Sequence, residues 1–141
     1  MNVYIDVQET ILYENGTPAE GVHDFLEWIT GWANCYWLTT YCKNGDLTYL
    51  HSYLNELLAP ETFELIKTIH ATKWVIDKTE AINFNKRFRW LEDSPTPQDI
   101  LKLKETRTSE CLVNVNLSER PYSNGYKSLL LAFDTPSFKG L

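Results

Sequence analysis

Asn2-Val3-Tyr4-Ile5-Asp6 is the stretch on which the reading of this chain turns. It is a short β-branched and aromatic run ending in a carboxylate, the pattern of a buried parallel strand that delivers a side chain to its carboxyl edge. Four more runs of this kind lie downstream. Cys35-Tyr36-Trp37-Leu38 ends in Thr39-Thr40, and Lys73-Trp74-Val75-Ile76-Asp77 reads as a third strand. Arg87-Phe88-Arg89-Trp90-Leu91 ends in Glu92-Asp93-Ser94-Pro95, and Cys111-Leu112-Val113-Asn114-Val115 reads as a fifth.

The segments between these runs have helical character. Val22, Phe25, Leu26, Ile29 and Trp32 recur at helical spacing in a helix that stops near Gly31. Helices are predicted over 47–58 and 60–70, the second with Pro60 suited to a first turn. A short helix or turn is predicted over 79–83, another helix from Pro97-Gln98-Asp99, and a last one over 127–133. Ile11-Leu12-Tyr13 leads into Asn15-Gly16 and Pro18, a small flap with a tight turn. Strands alternating with helices predict an α/β, Rossmann-like three-layer sandwich around a parallel sheet of about five strands.

Composition narrows the partners. At 141 residues with 43% hydrophobic content, one domain over 1–141 with its own core is expected. The net charge is −6, and basic residues are scattered apart from Lys86-Arg87 and Arg89, so no long surface for tracking nucleic acid is expected. No apolar run approaches the ~20 residues of a membrane span, and the start lacks the charged and apolar regions of a signal peptide. A soluble, cytoplasmic protein without membrane partners is the expectation. Cys35, Cys42 and Cys111 are odd in number and widely spaced, which fits core residues or idle thiols better than disulfides or zinc. His23, His51 and His70 fall in predicted helices at spacings that suggest surface positions rather than a shared metal, and most Trp and Tyr residues read as core.

In open α/β sheets ligands bind beyond the carboxyl ends of the strands. There the predicted strands deliver Asp6, Thr39-Thr40, Lys78 and Glu92-Asp93. Adjacent carboxylates repel unless a cation or a shared proton intervenes, and oxygen ligands of this kind suit Mg²⁺. Taken singly, Asp6 would be a turn former, Asp93-Ser94-Pro95-Thr96-Pro97 a loop with a helix cap, and Lys78 a solvated lysine. Only their co-occurrence argues for a site.

This order of residues resembles the haloacid dehalogenase-like (HAD) hydrolase superfamily. Asp6-Val7-Gln8-Glu9-Thr10 is similar to its first motif, Asp-x-Asp-x-Thr/Val, and Leu38-Thr39 to its second. Lys78 is similar to the third-motif lysine, with Lys73 and Lys86 as rivals, and Trp90-Leu91-Glu92-Asp93-Ser94 to the acidic fourth motif. The resemblance implies that Asp6 accepts a phosphoryl group and binds Mg²⁺, that Asp93 is the second metal ligand, and that Gln8 offers its backbone carbonyl to the metal. It also implies that Thr39 hydrogen-bonds a phosphoryl oxygen and that Lys78 balances the charge. The implied partner is a phosphorylated substrate.

Gln8 departs from the family's phosphatase pattern, which has a second aspartate there to protonate the leaving group and activate water. A carboxamide does not titrate near neutral pH. General acid–base help is typically worth about 10²–10⁴ in rate, so ordinary alkyl phosphates are expected to turn over poorly. On extended backbone successive side chains alternate, which turns Glu9 away from Asp6 and makes it a poor substitute. The gaps from Asp6 to Thr39 and from Thr39 to Lys78 are too short for a folded cap domain. The crevice is therefore expected to be open, which in the family goes with large or macromolecular substrates. Two readings stay open: a weakened or specialised Mg²⁺-dependent phosphatase, and a catalytically silent binding or regulatory domain that keeps the metal site.

Overall fold

A computed structural model of the chain describes residues 1–119, 122 and 126–131. It is a mixed α/β structure around a parallel sheet of four strands, β1 (Asn2–Ile5), β2 (Asn34–Trp37), β3 (Phe88–Glu92) and β4 (Leu112–Asn114), in the order β2-β1-β3-β4. The helices are α1 (Val22–Thr30), α2 (Thr48–Leu57), α3 (Pro60–Ile66), α4 (Pro97–Glu105) and α5 (Tyr126–Leu131). Strand β1 is central, with Val3 opposite Cys35 on one side and Arg89 on the other. After β2 the chain crosses to the far side of β1 to form β3. Side chains at the carboxyl ends of β1 and β3 therefore meet where the strand order reverses, the place where α/β sheets open a crevice.

The central strands β1 and β3 are buried on both faces, which explains why Val3-Tyr4-Ile5 reads as a continuous apolar run rather than an alternating one. Val3, Ile5, Trp37, Leu91 and Val113 pack into one core with Phe25 and Ile29 of α1, Leu50 and Leu54 of α2, Ile66 of α3 and Leu130 of α5. Tyr4, Phe88 and Trp90 face a second, smaller core with Trp74, Ile82, Leu103 of α4 and Cys111. All three cysteines are buried free thiols. The turn between β1 and α1 closes as its sequence predicts, with Gly16 at φ +87° and the Tyr13 N–H donating to the Thr17 carbonyl at 2.7 Å.

Two predicted elements are different in the structure. Lys73–Asp77 is not a strand: Trp74 enters the second core, but Val75 and Ile76 are 74% and 79% exposed. The Glu80 carboxylate accepts from the backbone N–H groups of Val75, Ile76 and Asp77 at 3.0, 3.0 and 2.7 Å, so these donors are not offered to a sheet ladder. The sheet accordingly has four strands among the described residues rather than about five. The helix predicted over 60–70 ends at Ile66, and His70 instead forms a bridge beside β2, accepting from the Trp37 N–H at 2.8 Å and donating to the Cys35 carbonyl at 3.0 Å. His70 is exposed, whereas His23 and His51 are half-buried in α1 and α2, His23 meeting the Thr62 hydroxyl at 2.7 Å. The predicted last helix is observed as Tyr126–Leu131, and its expected end at Phe133 lies outside the described residues. Among the described residues no helix is long and apolar enough to cross a membrane.

Candidate functional site

The site is built by the sheet. Asp6 follows β1 directly and its N–H donates to the Leu91 carbonyl of β3 at 3.2 Å, which ties the carboxyl ends of the two strands together. Glu92 is the last residue of β3, and Asp93 is the next. Oxygens of Asp6, Glu92 and Asp93 lie within 4.8 Å of one another. Lys78 reaches this group from a single 3-10 turn over Lys78–Ala81. Its Nζ stands 2.6 Å from Glu92 Oε1 and 3.4 Å from Asp6 Oδ1. Lys73 and Lys86 are exposed and make neither contact, so the geometry selects Lys78 from the three lysines.

The lysine is held from both sides. Asp77 and Glu80 form a reciprocal capping box around the 3-10 turn. The next N–H, that of Thr79, donates to buried Asp99 Oδ1 at 3.1 Å, and the Asp99 N–H in turn donates to Thr96 Oγ1, the cap of α4. Lys78 is thus anchored to the loop through Glu80 and to α4 through Asp99.

The charges are unevenly satisfied. Glu92 Oε2 accepts from the N–H groups of Asp93 and Ser94 at 3.1 and 3.4 Å, while Oε1 takes the lysine. Burial works against its ionisation, but hydrogen bonds from Asp6 and Lys78 together with the lysine charge outweigh it and hold the Glu92 carboxyl below the ordinary range. Asp6 is the reverse case. Burial, then the Glu92 charge and hydrogen bond, push its carboxyl up to about 8 against the pull of Lys78. Asp93 is pushed up to about 7 by burial, by the hydrogen bond and charge of Glu92, and by a hydrogen bond that it donates to Glu9. Lys78 is raised, because the charges of Asp6 and Glu92 overcome the effect of its burial. One ammonium cannot neutralise three carboxylates, so the group holds protons that a cation would displace.

A hard divalent cation suits this donor set, since every converging ligand atom is a carboxylate oxygen. Glu92 is already committed to Lys78 and two backbone donors, leaving Asp6 and Asp93 as the carboxylates with capacity for a metal. Gln8 would contribute through its backbone, because its side-chain Oε1 accepts from the Tyr53 hydroxyl at 3.3 Å. Thr39 is buried at the end of β2, where the Leu38 N–H bonds the Ile5 carbonyl of β1 at 2.8 Å. Its Oγ1 accepts from the Tyr41 N–H at 3.3 Å, which leaves the hydroxyl hydrogen free to donate. Thr40, beside it, is exposed.

Glu9 corrects an expectation. The backbone after Asp6 is not extended: Glu9 has φ +53°, and the N–H groups of Thr10, Ile11 and Leu12 all point to the Val7 carbonyl. The side-chain alternation of a strand therefore does not apply, and Glu9 reaches Asp93. Both line a cleft of about 720 Å³ that continues past Glu14 and Asn114 to Asn116. The tyrosines were the other omission. Tyr53 touches Gln8, and Tyr41, Tyr49 and Tyr53 pack against one another with ring centroids 5.1–6.3 Å apart. The i, i+4 spacing of Tyr49 and Tyr53 on a predicted helix was the available signal, although the same spacing serves a core face equally well.

Comparison of the chain with models of protein families, with curated proteins and with solved structures gives no match. The site's chemistry therefore rests on its own geometry.

Proposed function

We propose that the protein is a Mg²⁺-dependent phosphohydrolase of HAD-like, Rossmann-like architecture, with Asp6 as the nucleophile. The observation that carries this reading is the meeting of Asp6, Glu92 and Asp93 around Lys78 at the reversal of strand order. In the proposed reaction a carboxylate oxygen of Asp6 attacks phosphorus, the bond to the leaving oxygen breaks, and water then hydrolyses the aspartyl-phosphate to return free Asp6. Lys78 and the Thr39 hydroxyl hold phosphoryl oxygens, and Glu92 fixes Lys78 in place. Asp6, Asp93 and the Gln8 carbonyl would hold Mg²⁺, which supplies charge stabilisation as negative charge builds on the phosphoryl group. Gln8 orients a water but exchanges no proton with it, so esters with good leaving groups are the favoured substrates.

The experiment is hydrolysis of p-nitrophenyl phosphate with Mg²⁺. Activity lost on adding EDTA and in Asp6→Asn supports the reading; a rate indifferent to both overturns it. Gln8→Asp should raise turnover of poorer leaving groups by up to about 10²-fold or more.

A second reading, a silent domain that binds a metal or phosphate without turnover, is favoured by one observation: Gln8 is hydrogen-bonded to Tyr53 and brings no carboxylate to the position where acid–base help is needed. Beryllofluoride separates the two. A further thermal shift when beryllofluoride is added to the Mg²⁺-loaded protein, lost in Asp6→Asn, marks a competent nucleophile, whereas a Mg²⁺ shift that beryllofluoride leaves unchanged marks the silent domain.

A further inference from the structure

Three tyrosines border the site on its β2 side, opposite the acidic cleft. Tyr41 lies two residues beyond Thr39 and Tyr53 donates to Gln8, so the cluster abuts two of the six residues from which the site is built. Tyr49 and Tyr53 sit one turn apart on α2 with their rings 6° from parallel and 6.3 Å between centroids. Tyr41 closes the group at 5.8 Å from Tyr49 and 5.1 Å from Tyr53. Tyr41 and Tyr53 are half-buried against the main core, while Tyr49 is 60% exposed, in contrast to the buried Tyr4, Tyr122 and Tyr126. A single exposed apolar side chain is ordinary, but an exposed ring braced on two half-buried rings beside a polar site offers a surface for a planar ligand.

We propose that Tyr41, Tyr49 and Tyr53 form a stacking platform for the base of a nucleoside phosphate whose phosphoryl group lies at Asp6 and Lys78. This rests on the phosphohydrolase reading for the position of the phosphate. The base is the chemistry that fits, because aromatic platforms hold bases by their π-faces without needing hydrogen-bond readout. The opposite wall does not suit a phosphate-bearing extension, since Glu9, Glu14 and Asp93 line it. Burial, with its tyrosine neighbours and Asp6 behind it, raises the Tyr41 phenol above its ordinary range, so Tyr41 adds no negative charge at neutral pH. A net charge of −6 also disfavours a long strand, which points to a free nucleotide rather than the end of a polynucleotide.

The test is calorimetric titration, in Mg²⁺, of AMP against ribose 5-phosphate, which has the same phosphate and sugar but no base. AMP is expected to bind on the order of five- to a hundredfold more tightly, from the contribution of one stacked base. The preference should disappear in Tyr49→Ala and persist in Tyr49→Trp, which keeps a ring at that position. Equal binding of the two ligands, or a preference that survives Tyr49→Ala, overturns the platform. AMP should also bind more tightly than a 5′-phosphorylated dinucleotide, and the reverse order overturns the assignment to a free nucleotide. Hydrolysis of acetyl phosphate, which has no ring, tests the chemistry separately. Hydrolysis with no base preference removes the platform alone, a base preference with no hydrolysis removes the reaction alone, and failure of both ligands to bind, together with no hydrolysis of acetyl phosphate, removes both.

Discussion

Strand β1 has a buried polar residue at each end, Asn2 as its first residue and Asp6 just beyond its last, and the two are treated in opposite ways. At the first end the solution is neutral and complete. Asn2 Oδ1 accepts from Asn34 Nδ2 at 3.5 Å, its side chain hydrogen-bonds Tyr4, and the Tyr4 hydroxyl also accepts from the Asn83 N–H at 3.0 Å. At the second end Asp6 meets two further carboxylates and one lysine, and two of the three acids hold their protons to about 8 and 7. Amides would have satisfied this end as they do the other. Under the proposed function, that cost to ionisation is what a bound cation would relieve.

Lys78→Met tests that contrast most severely. It leaves Asp6 and Glu92 buried without their cation, and breaking a buried pair in this way costs about 3–5 kcal/mol. The loss should fall toward the lower end, because the two acids can share a proton. Urea denaturation at pH 8 without Mg²⁺ should show it, and the deficit should shrink on acidification. A variant as stable as the parent at pH 8 would mean that the lysine is not compensating these charges. Asp6→Asn should have the opposite sign. Removing one of two like charges while keeping a group that can donate to Glu92 should stabilise the metal-free protein by on the order of 1 kcal/mol at pH 8, with less gain at pH 5. A protein with an ordinary structural aspartate at this position would lose stability instead.

How much of this was legible in the sequence follows from what each residue depends on. The four observed strands were readable from their β-branched, aromatic and apolar content, most clearly Val3-Tyr4-Ile5 of the fully buried β1. Asp6, Glu92 and Asp93 were readable as strand-end residues, and their convergence follows from parallel pairing. The misread stretch, Lys73–Asp77, has the same β-branched and aromatic composition but spends its N–H groups on Glu80. The spacing Asp77-Lys78-Thr79-Glu80 carries the capping-box pattern that could have exposed the error. Glu9 was not readable. Its contact with Asp93 depends on a positive φ at a non-glycine residue, which no local pattern announces. The Tyr53–Gln8 contact spans 45 positions, so only tertiary packing brings it about.

The pH dependence of the metal response sharpens the comparison further. Unfolded, Asp6 and Asp93 lose their protons near the ordinary value of 3.8; folded, they keep them to about 8 and 7. Between those limits the folded state binds more protons, so stability from these two groups falls as pH rises. Glu92, held low, acts the other way: its contribution is present above its unfolded value and lost as pH falls through the folded one. Mg²⁺ competes with the protons on Asp6 and Asp93. Its thermal shift should therefore be small at pH 5, grow through pH 7, and level off above pH 8, reaching about 2.7 kcal/mol of stabilisation at a hundredfold excess over Kd. Differential scanning fluorimetry across this range would show it, and a shift that is flat or that declines with pH would separate the metal from these carboxylates.

Asn2→Ala gives the smallest effect and serves as the control at the other end of the strand. It removes neutral hydrogen bonds, one of them long at 3.5 Å, and should cost about 0.5–1.5 kcal/mol in urea denaturation. No carboxylate takes part in that network, so the cost should be the same at pH 6 and pH 8 and the same with or without Mg²⁺. This invariance matters more than the size of the loss. If the penalty of Asn2→Ala changed with Mg²⁺, the two ends of β1 would be coupled through the sheet, and the charge frustration around Asp6 would belong to the whole fold. If it does not change, the frustration is confined to the carboxyl edge, where a ligand can relieve it.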